Sequence, residues 1–128
     1  MNKAEFNRLS KIILDASIEV HRNLGPGLLE SVYEYCLCKE FKIRKIDYQR
    51  QVTLPVIYKN EVLSSDFRID ILIKNEIILE LKAVEILLPV HQAQLLTYLK
   101  LADKRLGFLI NFNVPRLIDG FKRMVNNF

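Results

Sequence analysis

Asp70 and the run Glu80-Leu81-Lys82 lie inside two short apolar segments, Ile69-Asp70-Ile71-Leu72-Ile73 and Ile77-Ile78-Leu79-Glu80-Leu81. A charge there is costly to bury unless it is paired, hydrogen-bonded or bound to a metal. Their β-branched content and the spacer Lys74-Asn75-Glu76 predict a β-hairpin with a three-residue loop. With Ile73 opposite Ile77, Asp70 falls opposite Glu80. Alternation then puts Arg68, Asp70, Leu72, Ile78, Glu80 and Lys82 on one face. Ile69, Ile71, Ile73, Ile77, Leu79 and Leu81 make the other, wholly apolar face. Directly opposed residues have Cβ atoms roughly 4.5–5.5 Å apart, so a proton, a lysine or a divalent cation has to offset the repulsion between two carboxylates. A one-residue change in the loop would put Asp70 and Glu80 on opposite faces.

The chemistry that such a group supports is phosphodiester hydrolysis. Hard carboxylate oxygens suit Mg²⁺ or Mn²⁺, which polarises a phosphoryl group and acidifies bound water. A lysine beside it orients that water or neutralises charge on the phosphate. The competing explanation is a structural cross-strand ion-pair cluster that includes Arg68. Glu30, three residues after Gly27, opens a helix whose apolar side carries Tyr33, Leu37 and Phe41. Spacing points Glu30 along that buried side, although an acid in a first turn also complements the helix dipole. Gln94 and Tyr98, four apart, share a helix face and could hold a phosphate or orient the lysine, although spacing alone fits ordinary surface or core edge equally well. His21 and His91 have no partner at metal-ligand spacing, and no Ser-His-Asp order, Gly-rich phosphate loop or zinc pattern occurs.

Periodicity locates the helices and strands that carry these residues. A helical pattern over about residues 2–23 (Phe6, Leu9, Ile12, Ile13, Ala16, Val20) breaks at Gly25-Pro26-Gly27, and a second helix comes after it. From Ile46 to Tyr58 the pattern is strand-like, with Pro55 marking an edge or bulge. After a turn at Lys59-Asn60-Glu61 the chain enters a strand ending in the Asp70 segment, and the Glu80 strand comes next. Pro89 precedes a helix from Val90 to Ala102, and Arg105–Phe112 reads as a buried strand; the tail from Ile118 fits strand or helix. The order α-α-β-β-β-α-β predicts an antiparallel three-stranded meander and a helical crossover to a parallel fourth strand. Helices then sandwich a mixed sheet.

At 128 residues, half of them hydrophobic, the chain is expected to form a single domain, residues 1–128. No apolar stretch reaches the ~18 residues of a membrane helix, and the N-terminus lacks a signal-peptide core. Two cysteines, Cys36 and Cys38, give no disulfide framework, so inert thiols in a reducing cytoplasm are expected. The net charge of +4 is compatible with a polyanionic partner. Its basic clusters (Lys39-Lys42-Arg44-Lys45, Lys100-Lys104-Arg105, Arg116-Lys122-Arg123) are interspersed with acids, and solvated surface explains each more readily than a phosphate contact.

Taken together, these residues resemble the PD-(D/E)XK nuclease superfamily. Asp70 followed by Glu80-Leu81-Lys82 matches its Asp…Glu-x-Lys signature. Glu30 matches the acid of the preceding helix, and Gln94…Tyr98 is similar to the Gln-x-x-x-Tyr element of exonuclease-like members. More closely, Gly25-Pro26-Gly27-Leu28-Leu29-Glu30-Ser31-Val32-Tyr33 resembles the signature of the small bacterial GxxExxY proteins. So do Glu80-Leu81-Lys82-Ala83-Val84, Gln92–Leu99 and Gly107–Phe112. The resemblance implies an α/β/α sandwich around a central mixed sheet of four to five strands, the restriction-endonuclease-like core. It also implies Mg²⁺, replaceable by Mn²⁺, held by Asp70, Glu80 and the Leu81 backbone carbonyl. Glu30 would be a further ligand or base, Lys82 would position the water, and Gln94, Tyr98 and Arg68 would support the site. The implied activity is metal-dependent cleavage of DNA, or of RNA. Specific recognition by so short a chain would need a homodimer or a partner protein. Since the fold also hosts non-nucleolytic relatives, a non-catalytic nucleic-acid- or protein-binding module is the alternative.

Overall fold

Helix α1 (Lys3–Leu24) buries Phe6, Leu9, Ile13, Ala16 and Val20, the stripe its periodicity marks out. Asn2 caps it, its side chain accepting the Glu5 N–H at 2.8 Å. At Gly25 a φ of +70°, open to glycine without strain, ends the helix. Helix α2 (Glu30–Ile43) then packs beside α1 with Tyr33, Leu37, Cys38 and Phe41 inward. The structure, a computed structural model, describes residues 1–63 and 67–128.

Five strands form the main sheet in the order β1 (Tyr48–Thr53), β4 (Arg68–Ile73), β5 (Ile77–Lys82), β6 (Leu106–Asn111), β7 (Phe121–Val125). Helix α3 (Pro89–Ala102) makes the crossover from β5 to β6, which run parallel; the other neighbours are antiparallel. Strand β6, flanked by β5 and β7, is buried at all six residues, as expected of a strand covered on both faces. One apolar cluster joins α1 and α2 to Ile71, Ile73, Ile77, Leu79, Leu81, Phe108 and Ile110. A second joins α3, through Leu95, Tyr98 and Leu99, to Leu72, Ile78 and Leu109. The architecture is therefore the expected α/β/α sandwich around a mixed sheet. Gly107 lets α3 approach: a Cβ there would lie 3.1 Å from both the Ile78 carbonyl oxygen and the Leu95 side chain.

Two expectations need correction, and the structure resolves one reading left open. The single strand read from Ile46 to Tyr58 is interrupted at Leu54-Pro55, because proline cannot donate to a ladder. Beyond the break the chain forms a separate two-stranded hairpin, β2 (Val56–Tyr58) and β3 (Glu61–Leu63), around the left-handed pair Lys59-Asn60. It is inserted in the connection between β1 and β4, and positions 64–66 of the strand expected there lie outside the described residues. The ambiguous tail is a short 3-10 turn (Leu117–Gly120) followed by β7. Finally, Ile69 belongs not to the apolar face of Ile71 and Ile73 but to the cluster beneath α3.

The reason lies at one step of the ladder. Strand β1 pairs with β4 from Tyr48↔Ile73 through Arg50↔Ile71, and again at Val52↔Ile69 and Thr53↔Arg68, but not at Gln51 and Asp70. Gln51 has a left-handed φ of +50° inside the strand. Before this step Tyr48, Ile71 and Ile73 pack toward α1 and α2; beyond it Val52 and Ile69 pack toward α3. Both strands change face at the same place.

Candidate active site

The hairpin forms with the expected loop and register: Ile73↔Ile77, Leu72↔Ile78 and Ile71↔Leu79. Lys74 and Asn75 take left-handed conformations, and the Glu76 N–H donates to the Ile73 carbonyl at 2.8 Å. Pairing of β4 with β5 stops one step short of Asp70 and Glu80. There the side chains replace the ladder: the Asp70 N–H donates to Glu80 Oε1 at 3.2 Å, and the Leu81 N–H donates to Asp70 Oδ2 at 2.8 Å. The sequence thus brings the two acids together, each satisfied by the other's strand.

Among the described residues, neither carboxylate has a side-chain cation as partner. Arg68 is exposed at the start of β4 and Lys82 is half-buried at the end of β5, and neither forms an ion pair there. A structural cluster built on Arg68 is therefore not what occupies this face. Glu80 is buried, and burial followed by the neighbouring Asp70 charge pushes its carboxyl up to about 9, with Lys82 acting in the opposite direction. Asp70 is also raised, chiefly by burial; the Leu81 N–H opposes this, while a third carboxylate, Glu34, adds to it. Asn111 fixes the chain just beyond the lysine, accepting the Val84 N–H at 3.1 Å and donating to the Val84 carbonyl at 2.9 Å.

Glu34 is the residue that sequence reasoning missed. It is buried on α2 and accepts from Arg50 Nη2 at 2.8 Å and from Gln51 Nε2 at 2.7 Å. The same Gln51 amide lies 3.4 Å from Asp70 Oδ1, so it joins the helix acid to the strand acid. Glu30, expected to lean on the core, is exposed instead. It sits in a shallow depression with Leu28, Leu29, Ser31 and Ala83 at the start of α2. A signal for Glu34 did exist: with Leu37, Cys38 and Phe41 it makes an i, i+3, i+4, i+7 stripe on the buried side. Gln51 left no such signal.

The remaining motif residues divide between support and packing. Gln94 Nε2 donates to the Tyr98 hydroxyl at 3.2 Å, as their spacing predicted. Burial and then the charges of Glu80 and Asp70 raise the Tyr98 hydroxyl pKa. Both residues also line a cavity of about 700 Å³ with Val56, Phe67 and Thr97. Tyr33 is a strut: it stacks on Phe112 with centroids 4.5 Å apart, donates to the Gly25 carbonyl at 2.6 Å and accepts the Leu28 N–H at 3.1 Å. His21 donates to the Val114 carbonyl at 2.7 Å, and His91 accepts the Leu88 N–H at 3.0 Å at the start of α3. Burial pushes the Cys38 thiol up to about 12, in keeping with an inert packing role.

Among the described residues, no three His, Cys, Asp or Glu side chains converge as a closed metal cage. The donor set fits Mg²⁺ nonetheless. That ion retains several waters and takes one or two carboxylates rather than a full protein cage, and Asp70 and Glu80 supply two adjacent carboxyl groups with hard oxygen donors. No helix is long and apolar enough to cross a membrane among the described residues. No curated protein and no solved structure matches the chain. A family model described as the PD-(D/E)XK nuclease superfamily matches residues 7–124, with Asp70, Glu80 and Lys82 inside the match. With its fold, its signature residues and nearly its whole length in agreement, the chain belongs to the PD-(D/E)XK nuclease superfamily.

Proposed function

We propose that the protein is a metal-dependent nuclease hydrolysing phosphodiester bonds, with DNA as the favoured substrate over RNA, and that it is one of the GxxExxY proteins. One observation carries this reading. Asp70 and Glu80 are both shifted toward protonation, and among the described residues no lysine or arginine pairs with them. Burying two adjacent acids without a counter-charge is a persistent cost to the fold, which a divalent cation removes.

Asp70, Glu80 and the Leu81 carbonyl are the proposed ligands of Mg²⁺ or Mn²⁺. Glu34 is the helix carboxylate nearest in the network, and Glu30 stands outside it at the exposed start of α2. When bound, the cation supplies an activated water and a polarised phosphoryl oxygen. The chain's own contribution is positional. Lys82, on the same strand face as Glu80 and without a side-chain partner among the described residues, is free to hold the attacking water or a phosphate oxygen. Gln94 holds the Tyr98 hydroxyl toward the acids and could bind an adjacent phosphate. Arg68, exposed at the start of β4, would contact the backbone of the nucleic acid.

The test is cleavage of single-stranded, duplex and branched DNAs, and of RNA, with Mg²⁺ or Mn²⁺. Asp70→Ala and EDTA serve as controls. Cleavage that needs both the ion and Asp70 is the expected result. Salt-sensitive nucleic-acid binding without cleavage on any substrate would replace this reading with the non-catalytic module.

A further inference from the structure

We propose that Gln51 is a positioning residue whose side-chain amide bridges Glu34 and Asp70 and presets them for a divalent cation. The inference rests on the metal reading above and assigns a function to a residue that no sequence motif covers.

Consecutive residues of a regular strand point to opposite faces. Arg50 and Gln51 nevertheless both reach the carboxylate of Glu34, Arg50 at Oε2 and Gln51 at Oε1. The left-handed φ of +50° at Gln51 makes this possible. It takes Gln51 and Asp70 out of the ladder and turns the glutamine back toward α2. Such a conformation is unfavourable for a residue with a Cβ, and observed outliers of this kind concentrate at functional sites. Neither fold nor core requires a glutamine here, since its side chain is exposed and packs in neither apolar cluster.

The chemistry of the amide explains the choice. Its NH₂ group has two donors, one directed to Glu34 Oε1 at 2.7 Å and one to Asp70 Oδ1 at 3.4 Å. A lysine in the same place would compete with a cation through its own charge. A neutral amide instead links the two acids without adding a charge of its own, and Arg50 is the cation that pairs with Glu34. Groups that orient metal-binding carboxylates typically change metal affinity 10–100-fold when removed.

Two measurements test this. The first uses Mn²⁺ alone, titrated calorimetrically into wild type, Gln51→Ala and Gln51→Gly, with melting of the metal-free proteins alongside. Both variants should bind Mn²⁺ about 10-fold or more weakly. The glycine variant should melt above the alanine variant, because glycine accepts the positive φ. The second is nitrogen-15 NMR of the Gln51 side-chain amide in metal-free protein. Its resonances should be displaced from those of a free glutamine and return toward them in Glu34→Gln. A free-like amide in wild type overturns the proposal, as does wild-type Mn²⁺ affinity in either variant. A bridging amide in a wild-type protein that takes up no Mn²⁺ would overturn the metal reading, and with it the purpose assigned to Gln51.

Discussion

The Asp70 backbone N–H donates to Glu80 Oε1 across the mouth of the hairpin, at the first step where β4 and β5 cease to pair. A peptide donor thereby satisfies an acid without supplying a counter-charge. The expected consequence is metal-dependent stability. Mn²⁺ at a hundred times its dissociation constant should stabilise the fold by about 2.7 kcal/mol through mass action. Thermal melts with Mn²⁺ and with EDTA measure this, and the Asp70→Asn, Glu80→Gln double variant should lose the difference. Equal shifts in wild type and double variant would place the ion elsewhere.

The raised pKa of Glu80 sets the sign of the pH dependence. A carboxyl held at about 9 in the folded chain binds a proton more tightly there than in the unfolded chain. Folding stability is therefore fullest below the ordinary carboxylate range and declines as pH rises toward about 9. Asp70, shifted in the same direction, adds to the decline. Metal-free protein should show a falling melting temperature over this window, and Glu80→Gln should flatten it. Mn²⁺ affinity should rise over the same window, since the ion displaces a proton.

Lys82 should be catalytic rather than structural. It lies on the strand face of Glu80 and forms no ion pair among the described residues, so its removal breaks no salt bridge of the fold. Lys82→Ala is expected to fold and to bind Mn²⁺ and DNA, yet to cleave about 10²–10³-fold more slowly, the scale for one preorganised donor. The loss should appear in kcat more than in KM. Lys82→Arg should restore little, because a planar guanidinium does not replace a compact ammonium. Wild-type cleavage by Lys82→Ala would refute the assignment.

Tyr33 gives a contrasting expectation. Its hydroxyl accepts the Leu28 N–H and donates to the Gly25 carbonyl, closing the loop that leads into α2. Tyr33→Phe keeps the stack on Phe112 and loses both hydrogen bonds, at a cost of about 1–3 kcal/mol. Denaturant unfolding should register this as a lower midpoint with an unchanged slope. An unchanged midpoint would mean that the loop is held by packing alone.

Local order determined much of this protein. Apolar periodicity specified α1, α2 and α3, and the spacer Lys74-Asn75-Glu76 fixed the hairpin register that brings Asp70 to Glu80. That register comes from nearest-neighbour turn geometry and a period of two, both written in consecutive residues. Tertiary structure decided which helix acid joins the pair. Glu30 and Glu34 share one helix face, and the tertiary packing of α2 buries the second and leaves the first exposed. It also decided the step at Gln51. The strand's alternation continues past that residue in the sequence, but the demands of Glu34 on one side and Asp70 on the other impose a left-handed backbone. Those partners lie 17 and 19 residues away, beyond the reach of any local pattern.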